Sequence, residues 1–248
     1  MDKYKKLILS ILFLICLFAI IYSSYKIITW KLHVDANAKI HEETNAAINI
    51  VEKNKKEETI KFDIDFSKLK KINEDSIAYI KVNNTNIDYV VVKGKDNSYY
   101  LNHNFEKKWN IAGWIFGDFH NKFDGNDRNL IIYGHDTKDG SMFGSLKNIL
   151  DSKWYLNEDN YIIYLVTENK TYNYQVFSTY TIIAENYYIN TIFNNNDEFK
   201  KFINKLKSRS IYDYGIGVNE NDKILTLSSC IGDGRKRVVL HAKLVDNI

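Results

Sequence analysis

Residues 7–25 form an uncharged, mostly apolar run, with Lys3, Lys5 and Lys6 before it and Lys26 directly after it. Its 19 residues span roughly 28 Å as a helix, about the thickness of one hydrocarbon core. A cleaved leader has a shorter apolar core and a small-x-small exit. Here the exit reads Ile20-Ile21-Tyr22-Ser23-Ser24-Tyr25 and offers no such site. The pattern predicts that residues 1–29 are a cytoplasmic start and a transmembrane anchor, with everything beyond on the outer side. Residues 30–60 are polar, and Leu32, Ala36, Ile40, Ala47, Ile50 and Val51 recur at roughly helical spacing. This predicts a helical stalk, one helix or two short ones, with the charges at 53–58 as a solvated end.

From residue 61 the pattern changes. A short helix at 65–72 is followed by brief runs rich in β-branched and aromatic residues. Strands are predicted at 77–82, 87–92, 113–116, 129–133, 161–167, 172–181, 223–228 and 237–245. Asn, Asp and Gly occupy the turns between them, as at Asn83-Asn84 and Asp233-Gly234. Two helical interruptions stand out. Residues 141–150 are amphipathic and short, and 197–208 place Phe199, Phe202, Ile203 and Leu206 on one face. Eight short strands with few long helices suggest a mainly β fold closed into a barrel, because closure leaves no exposed edge. Residues 61–248 form the one extracytoplasmic domain in this reading.

Composition narrows the class. The formal charge of +3, from 34 basic against 31 acidic residues, is too balanced for a dedicated nucleic-acid binder. The hydrophobic fraction of 45% is that of a folded chain. The two cysteines, Cys16 and Cys230, are too few for a disulfide framework. One falls in the membrane run and the other near the end of the domain. Cys230 is then an unpaired thiol in an exported domain, which is either a buried core residue or one kept for its chemistry.

The neighbours of Cys230 favour chemistry. Thr226-Leu227-Ser228-Ser229-Cys230 ends a predicted strand, and a rigid strand edge is where a nucleophile is held but accessible. Arg235 and Arg237 follow within a few residues, and a guanidinium near the thiol would favour a thiolate and then an oxyanion. A proton-transfer partner is also needed, and histidine suits that role. Of six histidines, His33 and His41 lie in the stalk and His241 in a strand. His103, His120 and His135 sit in loop-like contexts, with His135 at the end of the apolar strand Leu130-Ile131-Ile132-Tyr133.

Thr226-Leu227-Ser228-Ser229-Cys230 with Arg237-Val238-Val239 resembles the cysteine–arginine signature of sortases. Asn129-Leu130-Ile131-Ile132-Tyr133-Gly134-His135, running on to Asp139-Gly140-Ser141-Met142-Phe143, is similar to the histidine segment of class B sortases. Asn97-Ser98-Tyr99-Tyr100-Leu101-Asn102-His103 and Ala112-Gly113-Trp114-Ile115-Phe116 agree with it. Ser229 and Asp136 depart from the family's usual Thr and Asn, and Tyr89-Val90 lacks a proline often found there. The resemblance implies an eight-stranded sortase barrel with an N-terminal helical lead and a helix between strands six and seven, met by 197–208. It implies Cys230 as nucleophile, His135 as acid and base, and Arg237 as oxyanion or substrate ligand. It also gives Ser228, and with it Thr226, as substrate contacts. The implied enzyme cleaves a C-terminal sorting motif, NPxTN-like or related, after Thr in secreted proteins. It then joins the acyl group to an amine of a lipid-linked peptidoglycan precursor. No cofactor, metal or nucleic acid is expected. The rival readings are a hydrolytic cell-wall thiol peptidase and a non-enzymatic haem- or metal-binding surface module built on the 18 tyrosines.

Overall fold

The computed structural model describes residues 2–51, 60–183, 185–231 and 236–245, and of Asp2, Val51, Cys230 and Ile231 the backbone alone. Arg235, the charge cluster at 53–58 and the Asp233-Gly234 turn lie outside the described residues.

Helix α1 runs unbroken over Asp2–Asn45, a stretch without Gly or Pro. Its apolar N-terminal part is exposed all round, and it is long and apolar enough to cross a membrane. Further on, Asn37, Ile40 and Thr44, spaced three and four apart, are buried against the domain. Asn37 Nδ2 donates to the Gly113 carbonyl at 3.0 Å, and Asn110 Nδ2 donates to Asn37 Oδ1 and to the His33 carbonyl, both at 2.9 Å. The apolar run and the polar segment after it are therefore one continuous helix. The stalk expected to be helical to residue 60 is helical only to Asn45 among the described residues. Strand β1 (Ile48–Val51) follows and pairs antiparallel with β2 (Lys61–Ile64). The β-branched run Ile48, Ile50, Val51 favours a strand over the helix suggested by its spacing.

Helix α2 (Phe66–Ile72) starts at Asp65, whose carboxylate accepts from the Lys68 amide at 2.9 Å. The barrel strands are β3 (Ser76–Val82), β4 (Asp88–Val92), β5 (Phe116–Gly117), β6 (Asn129–His135), β7 (Ile162–Thr167), β8 (Thr171–Ile183), β9 (Ile224–Ile231) and β10 (Lys236–Val245). Among the described residues they close in the order β10-β8-β7-β3-β4-β5-β6-β9, with β9 pairing back to β10. Two seams, β4–β5 and β6–β9, are parallel and the rest antiparallel. The strand expected at 113–116 shrinks to two residues. Gly113 has φ +56°, and a Cβ there would lie 2.3 Å from the Tyr100 carbonyl oxygen, so the chain turns before it can pair. The helix expected at 141–150 is a 3-10 turn over Leu146–Leu150, followed by the short helix α3 (Ser152–Tyr155).

Helix α4 (Asn196–Arg209) lies between β8 and β9, the sixth and seventh barrel strands. Its buried Phe199, Phe202, Ile203 and Leu206 pack over the outside of the barrel against Phe177, Tyr180, Ile182, Ile224 and Val239. A second cluster, with Leu225, Leu227, Val238 and Leu240, fills the interior. Thus β9 and β10 are buried on both faces, except where the outer cover ends.

Candidate active site

The site grows from register. β6 runs parallel to β9 and puts His135 opposite Cys230; β10 runs antiparallel to β9 and puts Arg237 opposite Cys230. Opposed residues on neighbouring strands share a face, about 5 Å apart. His135, Cys230 and Arg237 therefore occupy one row across three adjacent strands, with the cysteine in the middle. Below it lies the row Tyr133, Ser228, Val239, and below that Ile131, Thr226, His241.

His135 is held by its chain and its ring. Its backbone carbonyl accepts from the Phe143 amide at 2.9 Å. Gly134 before it has no room for a side chain, since a Cβ would meet Ile115 Cδ1 at 2.6 Å and the Phe143 ring at 2.7 Å. Ring atom Nε2 lies 2.6 Å from the Leu101 carbonyl, which only accepts, so Nε2 carries the proton and Nδ1 is the basic nitrogen. The other loop histidines are engaged elsewhere. His103 stacks on Tyr99 at 4.0 Å and contacts its carbonyl through Nδ1 at 2.8 Å. His120 Nδ1 lies 2.8 Å from Asp118 Oδ1. Asp118 is buried and also accepts from Tyr133 Oη at 2.8 Å and Asn97 Nδ2 at 2.7 Å.

Beside the row is a cleft of about 250 Å³, lined by Leu101, Tyr133, Tyr188, Ile189, Ser228 and Arg237 among others. Ser228 Oγ and Tyr188 Oη are hydrogen-bonded at 2.9 Å in its floor. Arg237 is partly exposed, and its Nη1 donates to the Lys236 carbonyl at 3.1 Å. Ser229 faces the other way, its hydroxyl donating to the Phe143 carbonyl at 3.4 Å. That bond ties β9 to the loop after His135.

The structure does not bring Thr226 to the cleft. Its side chain is fully buried and donates to Asn129 Oδ1 at 2.6 Å. It also sits 2.9 Å from His241 Nδ1, while His241 Nε2 lies 2.9 Å from Tyr180 Oη. Complete burial pushes the His241 pKa down to about 3. Thr226 and His241 are thus part of a closed polar network under α4. Sequence reasoning missed Tyr188 and Ile189, which stand in a 3-10 turn at Tyr187–Ile189 with no periodic signal. Leu101 and Asn97 fall inside a stretch singled out only by resemblance.

Barrel, helix placement and the cysteine-centred row together define a class. The sortase-domain family model matches residues 80–245, and the chain belongs to the sortase family, the cysteine transpeptidases of the cell surface. Its relatives within that family are sortases B. It is 36% identical over 180 residues to Sortase B of Listeria monocytogenes serovar 1/2a, covering 71% of this chain and 72% of that protein. It is 36% identical over 183 residues to Sortase B of Staphylococcus aureus strain NCTC 8325, covering 73% and 74%. Its fold matches the crystal structure of sortase B from Bacillus anthracis with a TM-score of 0.75 at 34% identity, over 87% of this chain and 99% of that one.

Proposed function

We propose that this chain transfers secreted proteins bearing a C-terminal sorting motif, NPxTN-like or related, onto the amine of a lipid-linked peptidoglycan precursor. The observation that carries the reading is the row His135–Cys230–Arg237 on three neighbouring strands, which supports their use as acid–base, nucleophile and oxyanion ligand. The Cys230 thiolate attacks the Thr carbonyl of the motif, and the guanidinium fork of Arg237 takes the oxyanion charge. The scissile C–N bond breaks, and the leaving amine takes a proton from His135, leaving a thioester. The acceptor amine then attacks the thioester. A new C–N bond forms, the C–S bond breaks, and His135 accepts the amine proton. Ser228, in the floor of the cleft, serves as a substrate contact. In this reading residues 1–29 anchor the chain with its N-terminus in the cytoplasm, and the catalytic domain, 61–248, works outside.

The test is mass spectrometry of the detergent-solubilised full chain with a library of motif pentapeptides, with and without an added amine. The expected result is cleavage after Thr, an acyl adduct on Cys230, and a shift from hydrolysis to amide product when amine is present. Hydrolysis that ignores the amine would make the chain a thiol peptidase instead.

A further inference from the structure

Farther along the His135 segment, beyond the cleft that Tyr133 and Gly134 line, lies a second, larger hollow of about 500 Å³. Its two walls come from distant parts of the chain. One is α1 at Lys26, Ile27 and Trp30; the other is the segment from His135 to Lys138, with Ile111 from the loop before Gly113. His135 borders this groove, while the adjoining Gly134 borders the cleft.

The height of the groove above a bilayer is set by α1. The apolar run ends at Tyr25, and Trp30 is five residues further along the same unbroken helix. That is roughly 7.5 Å at 1.5 Å per residue, which matches the headgroup layer of a membrane about 40–45 Å thick around a 30 Å core. Trp at that depth with neighbouring lysines is the usual interfacial arrangement. The lining is mostly apolar, with Ile27, Trp30 and Ile111, and Lys26 and Lys138 are both exposed. The carboxylate in the lining, Asp136, lies 3.9 Å from Lys147. The groove therefore offers apolar surface and cations at headgroup depth, beside the proton-transfer residue.

We infer that this groove binds the acceptor as a lipid: a polyprenyl diphosphate carrying the amine-bearing glycopeptide. The first isoprene units leave the bilayer along Ile27, the diphosphate sits between the Lys26 and Lys138 ammonium groups with Trp30 and Ile111 beside it, and the amine reaches the thioester past His135. The inference rests on the transpeptidase reading and adds a site and a direction to it. Donor and acceptor reach the thioester through separate hollows that share no lining residue, so the acceptor does not have to wait for the cleft to empty.

The experiment uses the full chain in phosphatidylcholine nanodiscs with a cleavable motif peptide and two acceptors carrying the same amine. One acceptor is polyprenyl-diphosphate-linked and the other is a soluble peptide. The variants are Trp30→Ala and the double variant Lys26→Gln, Lys138→Gln. Each is expected to raise the KM for the lipid-borne acceptor at least tenfold, with kcat/KM for the soluble amine and the acceptor-free hydrolysis rate within twofold of wild type. Equal loss with both acceptors, or none with the lipid-borne one, would overturn the inference. Binding of the lipid-linked acceptor to Cys230→Ala in the same discs is measured separately, because it needs no turnover. Lysine-dependent binding without any thioacyl chemistry in the wild type would sink the reaction reading and leave the groove standing. Binding matched by phosphatidylglycerol at the same charge density would overturn the groove's specificity in favour of a plain anionic-lipid contact.

Discussion

His135 and His241 stand on the same outer face of one sheet, two rows apart, flanking β9 on its two sides. His241 is sealed under α4, satisfied at both ring nitrogens by Thr226 and Tyr180, and its pKa is driven down to about 3 by burial. His135 lies past the edge of that cover, partly exposed, and among the described residues its ring bonds through Nε2 alone. The ring is the same and so is the face; what differs is whether the outer layer reaches that far. Acid–base work needs a nitrogen that is not already spent, and the cover decides which histidine keeps one.

The comparison makes predictions in descending order of effect. Cys230→Ala should abolish the acyl adduct and all turnover, read by mass spectrometry, with an unchanged circular dichroism spectrum. Residual adduct on the alanine variant would remove the centre of the open row. His135→Ala should lower kcat/KM by roughly 10³-fold, within the range of a lost general acid. His120→Ala, whose ring is held on Asp118 and is 48% exposed, should stay near wild type. If those two results were exchanged, the open end of the face would be wrongly placed. Arg237→Lys should cost roughly 10²-fold in kcat/KM, because an ammonium keeps the charge but loses the fork. Arg235→Lys should be mild, and the reverse order would transfer the role to Arg235.

In the closed rows the effect moves from rate to stability. Thr226→Val removes the hydroxyl that serves Asn129 and His241, so unfolding free energy should fall by about 1–3 kcal/mol. The kcat/KM should hold, and a kinetic loss without destabilisation would return Thr226 to the substrate site. The smallest effect is with pH. His241 is neutral in the fold, whereas the unfolded ring titrates at its ordinary 6.5. Below that value the unfolded chain binds the extra proton, so stability falls with pH, by about 1.4 kcal/mol per unit at most from this one group. Burial lowers His41 too, which adds slope of the same sign. Denaturation of the detergent-solubilised chain at pH 6.5, 6.0 and 5.5 should show the decline. A flat profile would mean that His241 is not sealed.

Much of this face could be read from residue order, and the limits are instructive. Alternation in Thr226-Leu227-Ser228 correctly separates the interior Leu227 from the outer pair. It carries no information on where α4 and the Tyr187–Ile189 turn stop covering that outer face, and so Thr226 is grouped with Ser228 although one is core and the other cleft. The end-of-strand position of His135 is legible, but its pairing with Cys230 is not, because a parallel seam between segments about a hundred residues apart leaves no local pattern. Ile48–Val51 misleads for the same reason: its partner, Lys61–Ile64, is non-local and overrides the helical spacing. The continuity of α1 was open to inspection all along in the absence of Gly and Pro from 2 to 45.

The β6–β9 seam also has a consequence for biogenesis. It joins residues 135 and 230, and the pairing that lays His135 beside Cys230 closes a loop spanning about half of the domain. Such long-range pairings are slow to form compared with the hairpins on either side. A chain that has not yet closed its barrel carries β9 without β6 beside it. Residues 135 and 230 therefore come together only as the barrel closes, so the row across β6, β9 and β10 is a product of the finished fold and not of any local segment.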